Sequence, residues 1–241
     1  MNQKLSVAQL KSISRGQLLG NYGIAIGADV TANGIIFFVS LLCSTLTAQN
    51  QTIAGTMITF LITLILDILN GIFLLGLARF YLNLVCRRPC SVTDVFYGFR
   101  YHTNKALITR ALIVIMELIV MIPFVVCAAF SGTRESSVLF LFSCITLVIG
   151  GILYIYIMLL YSQVYFIMLD FPGYSSRQIM STSRRIMRGN KGRLFYMVVT
   201  LIPYYLLAFL SCGIALLWIN PYLETTLTNF YLDLMHREYV V

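Results

Sequence analysis

Four acidic residues lie in predominantly apolar segments of this sequence, where an ionisable side chain is costly and often has a function. They are Asp29, Asp67, Glu117 and Glu224. One interpretation is a polar path or a proton-coupled site inside a bundle of helices. The other is that each carboxyl is neutral and hydrogen-bonds to a polar side chain of a neighbouring helix. The sequence places no basic residue at the depth of these carboxyls, and we favour the second interpretation.

The patterns of known catalytic and metal sites do not occur in the sequence. Asp29 and Asp67 satisfy the minimal requirement of an intramembrane aspartyl protease, but the Gly-x-Gly-Asp signature of that class is missing. Cys86 and Cys90 form a Cys-x3-Cys pair, yet no histidine or second cysteine pair lies nearby to complete a tetrahedral metal site. Neither a phosphate-binding glycine loop nor a nucleophile elbow is present. We therefore predict no catalytic residue, no metal and no cofactor.

Basic residues outnumber acidic ones, 17 to 9, and cluster between the apolar runs. Near an anionic lipid surface, each Lys or Arg contributes about 1 kcal/mol to binding. The alternative is that these charges only orient the chain in the membrane and adhere to its surface without specificity. The candidates for binding lipid headgroups are Arg15, Lys105, Arg184, Arg185, Arg188, Lys191 and Arg193.

The composition indicates which solvent surrounds the elements that hold these residues. Apolar residues make up 59% of the chain and charged residues 11%, against about 45–50% and about 25% in ordinary globular proteins. Mean hydropathy is +0.85. Because a soluble fold of this size cannot hide so much apolar surface, we predict a polytopic membrane protein. A soluble enzyme, a disordered chain and a small disulfide-rich secreted module are excluded.

Five apolar runs are long enough to cross a bilayer, which takes about 20 residues. The last run either forms one tilted span followed by an interfacial helix, or turns near Ser211–Gly213, so that residues 214–234 return as a sixth, partly polar span. We favour six spans. With six spans and a cytoplasmic N-terminus, all basic residues except Arg134 lie on the cytoplasmic side, as the positive-inside rule requires. The runs are 22–47, 53–78, 106–130, 138–160 and 194–219.

An internal repeat supports the six-span interpretation. Residues 6–23 and 175–192 are identical at eight aligned positions, and a shorter third copy begins at Ser91. Each copy starts with a Ser followed three residues later by Gln or Asp, which resembles a capping box. Each copy ends in Asn or Gly-Asn just before an apolar run, and both residues tolerate the left-handed conformation that stops a helix. Each unit is therefore a short capped helix followed by a membrane hairpin.

The short helices are amphipathic and are expected to lie flat at the membrane interface. In the copy that begins at Ser175, Ile179, Met180 and Ile186 share one side, which would dip into the acyl chains while the arginines face the headgroups. In the copy at Ser91, Val95, Phe96 and Phe99 would do the same. The predicted fold is an all-α, polytopic membrane helical bundle of six spans, built as three units within one domain, 1–241. The units cover about 4–79, 91–169 and 175–236.

Four sequence segments carry a family resemblance. They are Gly71-x4-Gly76-Leu77-Ala78-Arg79-Phe80, Asp94-Val95-Phe96-Tyr97-Gly98-Phe99, the segment 185–195 and the segment 213–222. On these residues the chain resembles the bacterial integral-membrane family called domain of unknown function 975. Gly192 departs from it where the family often has Trp, and Asp170-Phe171-Pro172 replaces a more usual Asp-Asn-Pro. The resemblance implies a bacterial cytoplasmic-membrane protein and brings no catalytic residue, cofactor or substrate.

Together these patterns lead to two functional hypotheses. The first is a non-enzymatic multi-pass protein that binds anionic lipid or membrane-protein partners through its basic interfacial helices. The second is a transporter of small molecules or lipids, or a transporter subunit, with a polar path lined by the mid-membrane carboxyls. Neither hypothesis includes a nucleic-acid partner, since the positive charge lies beside membrane spans.

Overall fold

The computed structural model describes residues 4–47, 52–134 and 137–238. These residues form helices joined by short connections and contain no strand, which confirms the all-α prediction for this part of the chain. A 3-10 helix, Val92–Phe96, precedes α4. The helices are α1 (Val7–Leu18), α2 (Tyr22–Thr47), α3 (Ile53–Val85), α4 (Tyr97–Arg100), α5 (Thr103–Arg134), α6 (Ser137–Tyr161), α7 (Val164–Asp170), α8 (Ser176–Ile186), α9 (Lys191–Val199), α10 (Ile202–Leu210) and α11 (Leu216–Glu238).

Five segments are long and apolar enough to cross a membrane: Tyr22–Thr45, Ala54–Val85, Thr103–Phe130, Val138–Asp170 and Lys191–Leu210. They expose many large apolar side chains, as expected where lipid replaces water. The chain is therefore a membrane protein. After the last segment it turns through residues 211–215 and continues as α11, which is not among the five.

Side-chain caps start the short helices where the sequence predicts them. The Ser6 hydroxyl accepts a hydrogen bond from the Gln9 backbone N–H (3.2 Å), and the Gln9 side chain accepts one from the Ser6 N–H (2.8 Å). The same reciprocal pair begins α8 at Ser175. At the 3-10 helix the Ser91 N–H donates to the Asp94 carboxylate (3.0 Å). Each cap satisfies backbone donors that a helix start leaves without partners.

Left-handed residues stop the same short elements. Gly20 follows α1 with φ of +85° and Gly189 follows α8 with φ of +80°, a conformation that glycine adopts without a steric penalty. His102, before α5, has φ of +61°. The next residues after the glycines, Asn21 and Asn190, each donate to the carbonyl four residues earlier, both at 3.0 Å. The chain can then change direction into the long helix that follows.

The apolar face of α8 is covered by protein, which corrects the expectation that it dips into the acyl chains. Ile179 and Met187 are fully buried, and Ser183 between them donates to the Leu160 carbonyl (2.7 Å). α8 contacts α5, α6 and α7, so its apolar face closes one end of the bundle. On the 3-10 helix Val95 is likewise buried, whereas Phe96 stays partly exposed. The lipid-dipping prediction was wrong for α8 because neighbouring helices fill that face first.

α11 joins the two buried clusters of the molecule. Tyr222 packs in the cluster shared with α2 and α3, while Phe230 and Tyr231 pack in the cluster shared with α5, α7 and α8. α11 also contacts α1, α2, α3 and α10. This helix carries buried hydroxyls, and Thr225 and Thr226 satisfy theirs by donating to carbonyls one turn earlier (2.7 and 2.6 Å). It is therefore an internal helix.

The connection between α3 and α5 folds back onto α3 at unusually close range. A Cβ added at Gly76 would overlap the Val95 carbonyl oxygen, and one added at Gly98 would overlap that of Ile72. Arg79 stacks on the Tyr97 ring at 3.7 Å. The first two segments that carry the family resemblance thus lie against each other.

Candidate functional site

An arginine inside the bundle binds two of the four intramembrane acidic residues. Arg110 of α5 donates to Asp67 of α3 through Nε (3.2 Å) and through Nη2 (2.7 Å). Its Nη1 lies 3.6 Å from Oε1 of Glu117, also on α5. The Arg110 side chain is 14% exposed. We call Asp67, Arg110 and Glu117 the acidic–arginine cluster.

Helix geometry and a small residue assemble this cluster. Glu117 follows Arg110 by seven residues, so both side chains project from the same face of α5. On α3, Gly71 lies one turn after Asp67, and a Cβ added at Gly71 would be 2.7 Å from the Arg110 Cβ. The missing side chain lets α5 approach α3 closely enough for the two direct hydrogen bonds.

The cluster corrects the expectation that the carboxyls have no basic partner. The positive-inside rule assigned every basic residue except Arg134, and so Arg110 too, to the cytoplasmic side. In the structure α5 begins at Thr103, so Arg110 lies two turns inside the helix. The seven-residue spacing between Arg110 and Glu117 is the sequence signal that could have revealed the pair.

A cavity of about 220 Å³ opens beside Arg110. Glu224 of α11 lies on another wall, so Arg110 and one intramembrane carboxyl face the same space. The Tyr165 hydroxyl is buried here and makes no hydrogen bond within the described residues. Apolar side chains such as Leu74 and Ile113 complete the lining. A mainly apolar cavity with a few polar groups has the chemistry of a small-molecule site.

The fourth acidic residue, Asp29, lies apart from the cluster on α2. It is 5% exposed, and its Oδ2 accepts a hydrogen bond from the Tyr81 hydroxyl of α3 (2.8 Å). Its Oδ1 makes no hydrogen bond in the part of the chain that the structure describes. Asp29 therefore links α2 to α3 and keeps one oxygen atom free.

Several of the predicted headgroup residues bind other parts of the protein. Arg15 donates to the Tyr204 hydroxyl (3.1 Å) and Lys191 to the Tyr156 hydroxyl (2.7 Å). Lys105 donates to the Pro172 carbonyl (2.5 Å). These contacts hold the short helices against the bundle and occupy hydrogen-bond donors that lipid phosphate would use.

Among these candidates, Arg193 binds two separate parts of the chain. Its Nη1 lies 2.6 Å from Oδ2 of Asp233, and both side chains are largely buried. Its Nη2 donates to the Leu5 carbonyl (2.5 Å). On α1, Lys11 donates to Thr200 (2.5 Å), and burial, followed by the charge of Arg15, lowers the pKa of Lys11. The residues before α1 thus meet α9 and α11 at one polar junction.

The remaining predicted candidates lie on the outer side of α8 and in the turn after it. Arg184, Arg185 and Arg188 are exposed, and so is Arg177, which lies two turns before Arg184. The structure describes no hydrogen bond or ion pair of Arg177, Arg184 or Arg188. We call these three residues the α8 basic face.

A second basic site was missed by the sequence analysis. Arg87 and Arg88, which follow α3, line a polar cavity of about 400 Å³ together with Gln17 and Asn21 at the end of α1. The headgroup candidates predicted from the sequence do not include these arginines, although their position directly after a long helix places both on one side of the bundle. Cys90 also lines this cavity, and burial, followed by the charge of Asp94, raises the pKa of its thiol.

The described residues hold no group of three His, Cys, Asp or Glu side chains arranged to bind a metal. No curated protein and no solved structure matches the sequence. A family model does match, over residues 5–238, and its description is Protein of unknown function (DUF975). Because the match covers nearly the whole chain, this protein belongs to the DUF975 family.

Proposed function

We propose that this chain is a non-enzymatic, multi-pass protein of the bacterial cytoplasmic membrane that binds anionic phospholipid headgroups. The binding groups are the α8 basic face and the Arg87–Arg88 cavity. The observation that carries the proposal is the orientation of α8. Its apolar side packs against the bundle, so three guanidinium groups, which make no hydrogen bond or ion pair with the described residues, are held on the outer side of α8 and in the turn after it.

The physical basis is charge attraction at a fixed geometry. Each basic residue near an anionic surface contributes about 1 kcal/mol, and an arginine can bind phosphate oxygens through two parallel hydrogen bonds. Arg177 and Arg184 lie seven residues apart, which places both on one face of α8, and Arg188 follows in the turn after the helix. Because α8 is anchored by Ile179 and Met187, little conformational entropy is lost when headgroups bind.

The test is the double variant Arg184→Gln/Arg188→Gln. In bilayer discs that contain phosphatidylglycerol and phosphatidylcholine, we expect affinity for phosphatidylglycerol to fall about thirtyfold. This factor corresponds to the binding free energy of two charges near an anionic surface. Native mass spectrometry of the co-purified lipid provides the measurement.

The matched control is Lys105→Gln/Lys191→Gln, which removes the same net charge from lysines that already bind protein oxygens. We expect it to retain most of the phosphatidylglycerol. If both double variants lose lipid equally, generic positive charge explains the binding and the proposed sites are wrong.

We also propose that the chain crosses the membrane six times, with both ends in the cytoplasm, in three units that each begin with a short capped element. The support is a contact between the ends. The Leu5 N–H lies 3.4 Å from the Asp233 carboxylate, and Arg193 binds both residues. Ends that touch lie on the same side of a bilayer, which requires an even number of crossings. Reporters fused to the two ends test this topology, and opposite locations would refute it.

A second function is favoured by one observation, the cavity shared by Arg110 and Glu224. A path through this cavity would make the protein a transporter or a transporter subunit. Glu224→Gln should then abolish substrate-independent proton flux into vesicles loaded with a pH-sensitive dye, while Arg184→Gln/Arg188→Gln should leave it unchanged. Wild-type vesicles without measurable flux would contradict this path.

A further inference from the structure

One face of α2 combines exposure with an unusual polar residue. Val30, Asn33, Phe37 and Leu41 lie within a narrow stripe along this helix, and all four are exposed. Asn33 is halfway along the candidate span Tyr22–Thr45. The stripe therefore presents a carboxamide near the middle of the hydrocarbon core.

The Asn33 carboxamide makes no hydrogen bond within the part of the chain that the structure describes. Other polar side chains of α2 satisfy themselves locally: the Thr31 hydroxyl donates to the Gly27 carbonyl (2.7 Å) and the Thr45 hydroxyl to that of Leu42 (2.9 Å). An amide left without a partner in hydrocarbon costs several kcal/mol. The described residues therefore leave Asn33 without a polar partner, which another molecule can supply.

A groove beside the stripe leaves room for such a partner. Asn33, Gly34 and Phe37 of α2, together with Leu217 and Asn220 of α11, border a space of about 500 Å³. A Cβ added at Gly34 would have Val30 Cγ1, at 3.9 Å, as its nearest neighbour, so the space above this glycine is open. Small residues of this kind let two membrane helices approach closely.

We propose that a second copy of this chain covers this groove, with the two α2 helices packed about a twofold axis and the two Asn33 side chains hydrogen-bonded to each other. A carboxamide carries both donors and an acceptor, so two related copies satisfy each other without any further group. A single Asn in an otherwise apolar seam also fixes the register of paired helices. Lipid tails offer neither donor nor acceptor and cannot fill this role.

The first experiment is Asn33→Leu, measured by single-molecule subunit counting in phosphatidylcholine bilayers over a range of protein-to-lipid ratios. The uncharged lipid separates this test from headgroup binding. We expect the dissociation constant of the dimer to rise about tenfold, the value of one interhelical hydrogen-bonded pair. Asn33→Gln keeps the amide and should retain part of the affinity.

The matched control is Thr63→Val, which removes another exposed polar group from a span. The Thr63 hydroxyl already donates to the Thr59 carbonyl of its own helix (2.9 Å), so no partner molecule is required. We expect this variant to dimerise like the wild type. A monomeric wild type at all ratios, or an unchanged dissociation constant for Asn33→Leu, would overturn the proposal.

The second experiment locates the contact by disulfide cross-linking in a background without the six native cysteines. Phe37→Cys should cross-link between copies because it lies on the stripe. Ile35→Cys is also exposed but projects from the opposite side of α2, so it should not. Equal cross-linking at both positions would indicate random collision, and no cross-linking at Phe37→Cys would indicate that another molecule occupies the groove. Either result refutes the α2 dimer.

Discussion

At the residue scale, the acidic–arginine cluster is the most consequential feature of the interior. One guanidinium faces two carboxyl groups in a region where desolvation of any charge is expensive. The bonds from Arg110 to Asp67 are direct, while Glu117 lies slightly farther away. The stability of α3 against α5 therefore depends on charge balance as well as on packing.

We expect Arg110→Met to lower the free energy of unfolding by about 1–3 kcal/mol, because it leaves the buried Glu117 and the partly exposed Asp67 without their partner. Thermal unfolding in mild detergent measures the change. Adding Asp67→Asn and Glu117→Gln should recover most of the loss, since no unpaired charge remains. If the triple variant is no more stable than Arg110→Met, the loss comes from packing, and the account based on charge is wrong.

A loss of stability is also expected when the Asp29–Tyr81 hydrogen bond is removed. Tyr81→Phe removes the described hydrogen-bond donor to Asp29 and should cost about 1–3 kcal/mol of unfolding free energy. Tyr101→Phe is the control because Tyr101 is 57% exposed and its hydroxyl makes no described hydrogen bond. Equal stability of the two variants in the same assay would show that this bond contributes nothing.

At the scale of elements, glycine contacts determine how the connection before α5 packs on α3. Gly76→Ala would place a methyl group against the Val95 backbone, which cannot move aside as a flexible side chain can. We expect a loss of about 3 kcal/mol or more, or failure to accumulate in the membrane. Gly151→Ala is the control, since a Cβ there meets no atom within 4 Å and helix propensity favours Ala by up to about 1 kcal/mol. Tolerance of both changes would contradict the close approach.

The helices and their caps were more predictable from the sequence than the groups that pack against them. The caps at Ser6 and Ser175 follow from local hydrogen bonds within four residues, so the sequence pattern alone identifies them. Which molecule covers Ile179 or pairs with Arg110 depends on residues far away in the chain. A pattern of apolar and basic residues on α8 has the same appearance whether lipid or protein lies against it, and only the packing distinguishes the two.

At the scale of the whole molecule, positive charge is divided between the interior and the exposed surface. Composition and apolar runs predicted a membrane bundle because they sum over many residues. This division could not be predicted from the sequence, because Arg193 and Arg188 belong to one basic segment. Arg193 nevertheless binds Asp233, whereas Arg188 is exposed. Clustering in sequence therefore did not identify a common binding surface.

This division predicts two different responses to salt. Raising ionic strength from 0.1 to 1 M shortens the Debye length from about 10 to about 3 Å, which screens exposed charges far more than buried ones. Phosphatidylglycerol retention by the wild type should therefore fall to the level of Arg184→Gln/Arg188→Gln. The thermal midpoint of the same samples should change little, because the Arg110 and Arg193 side chains are largely buried. Lipid retention that persists in 1 M salt would mean that the lipid is held by contacts other than the exposed arginines.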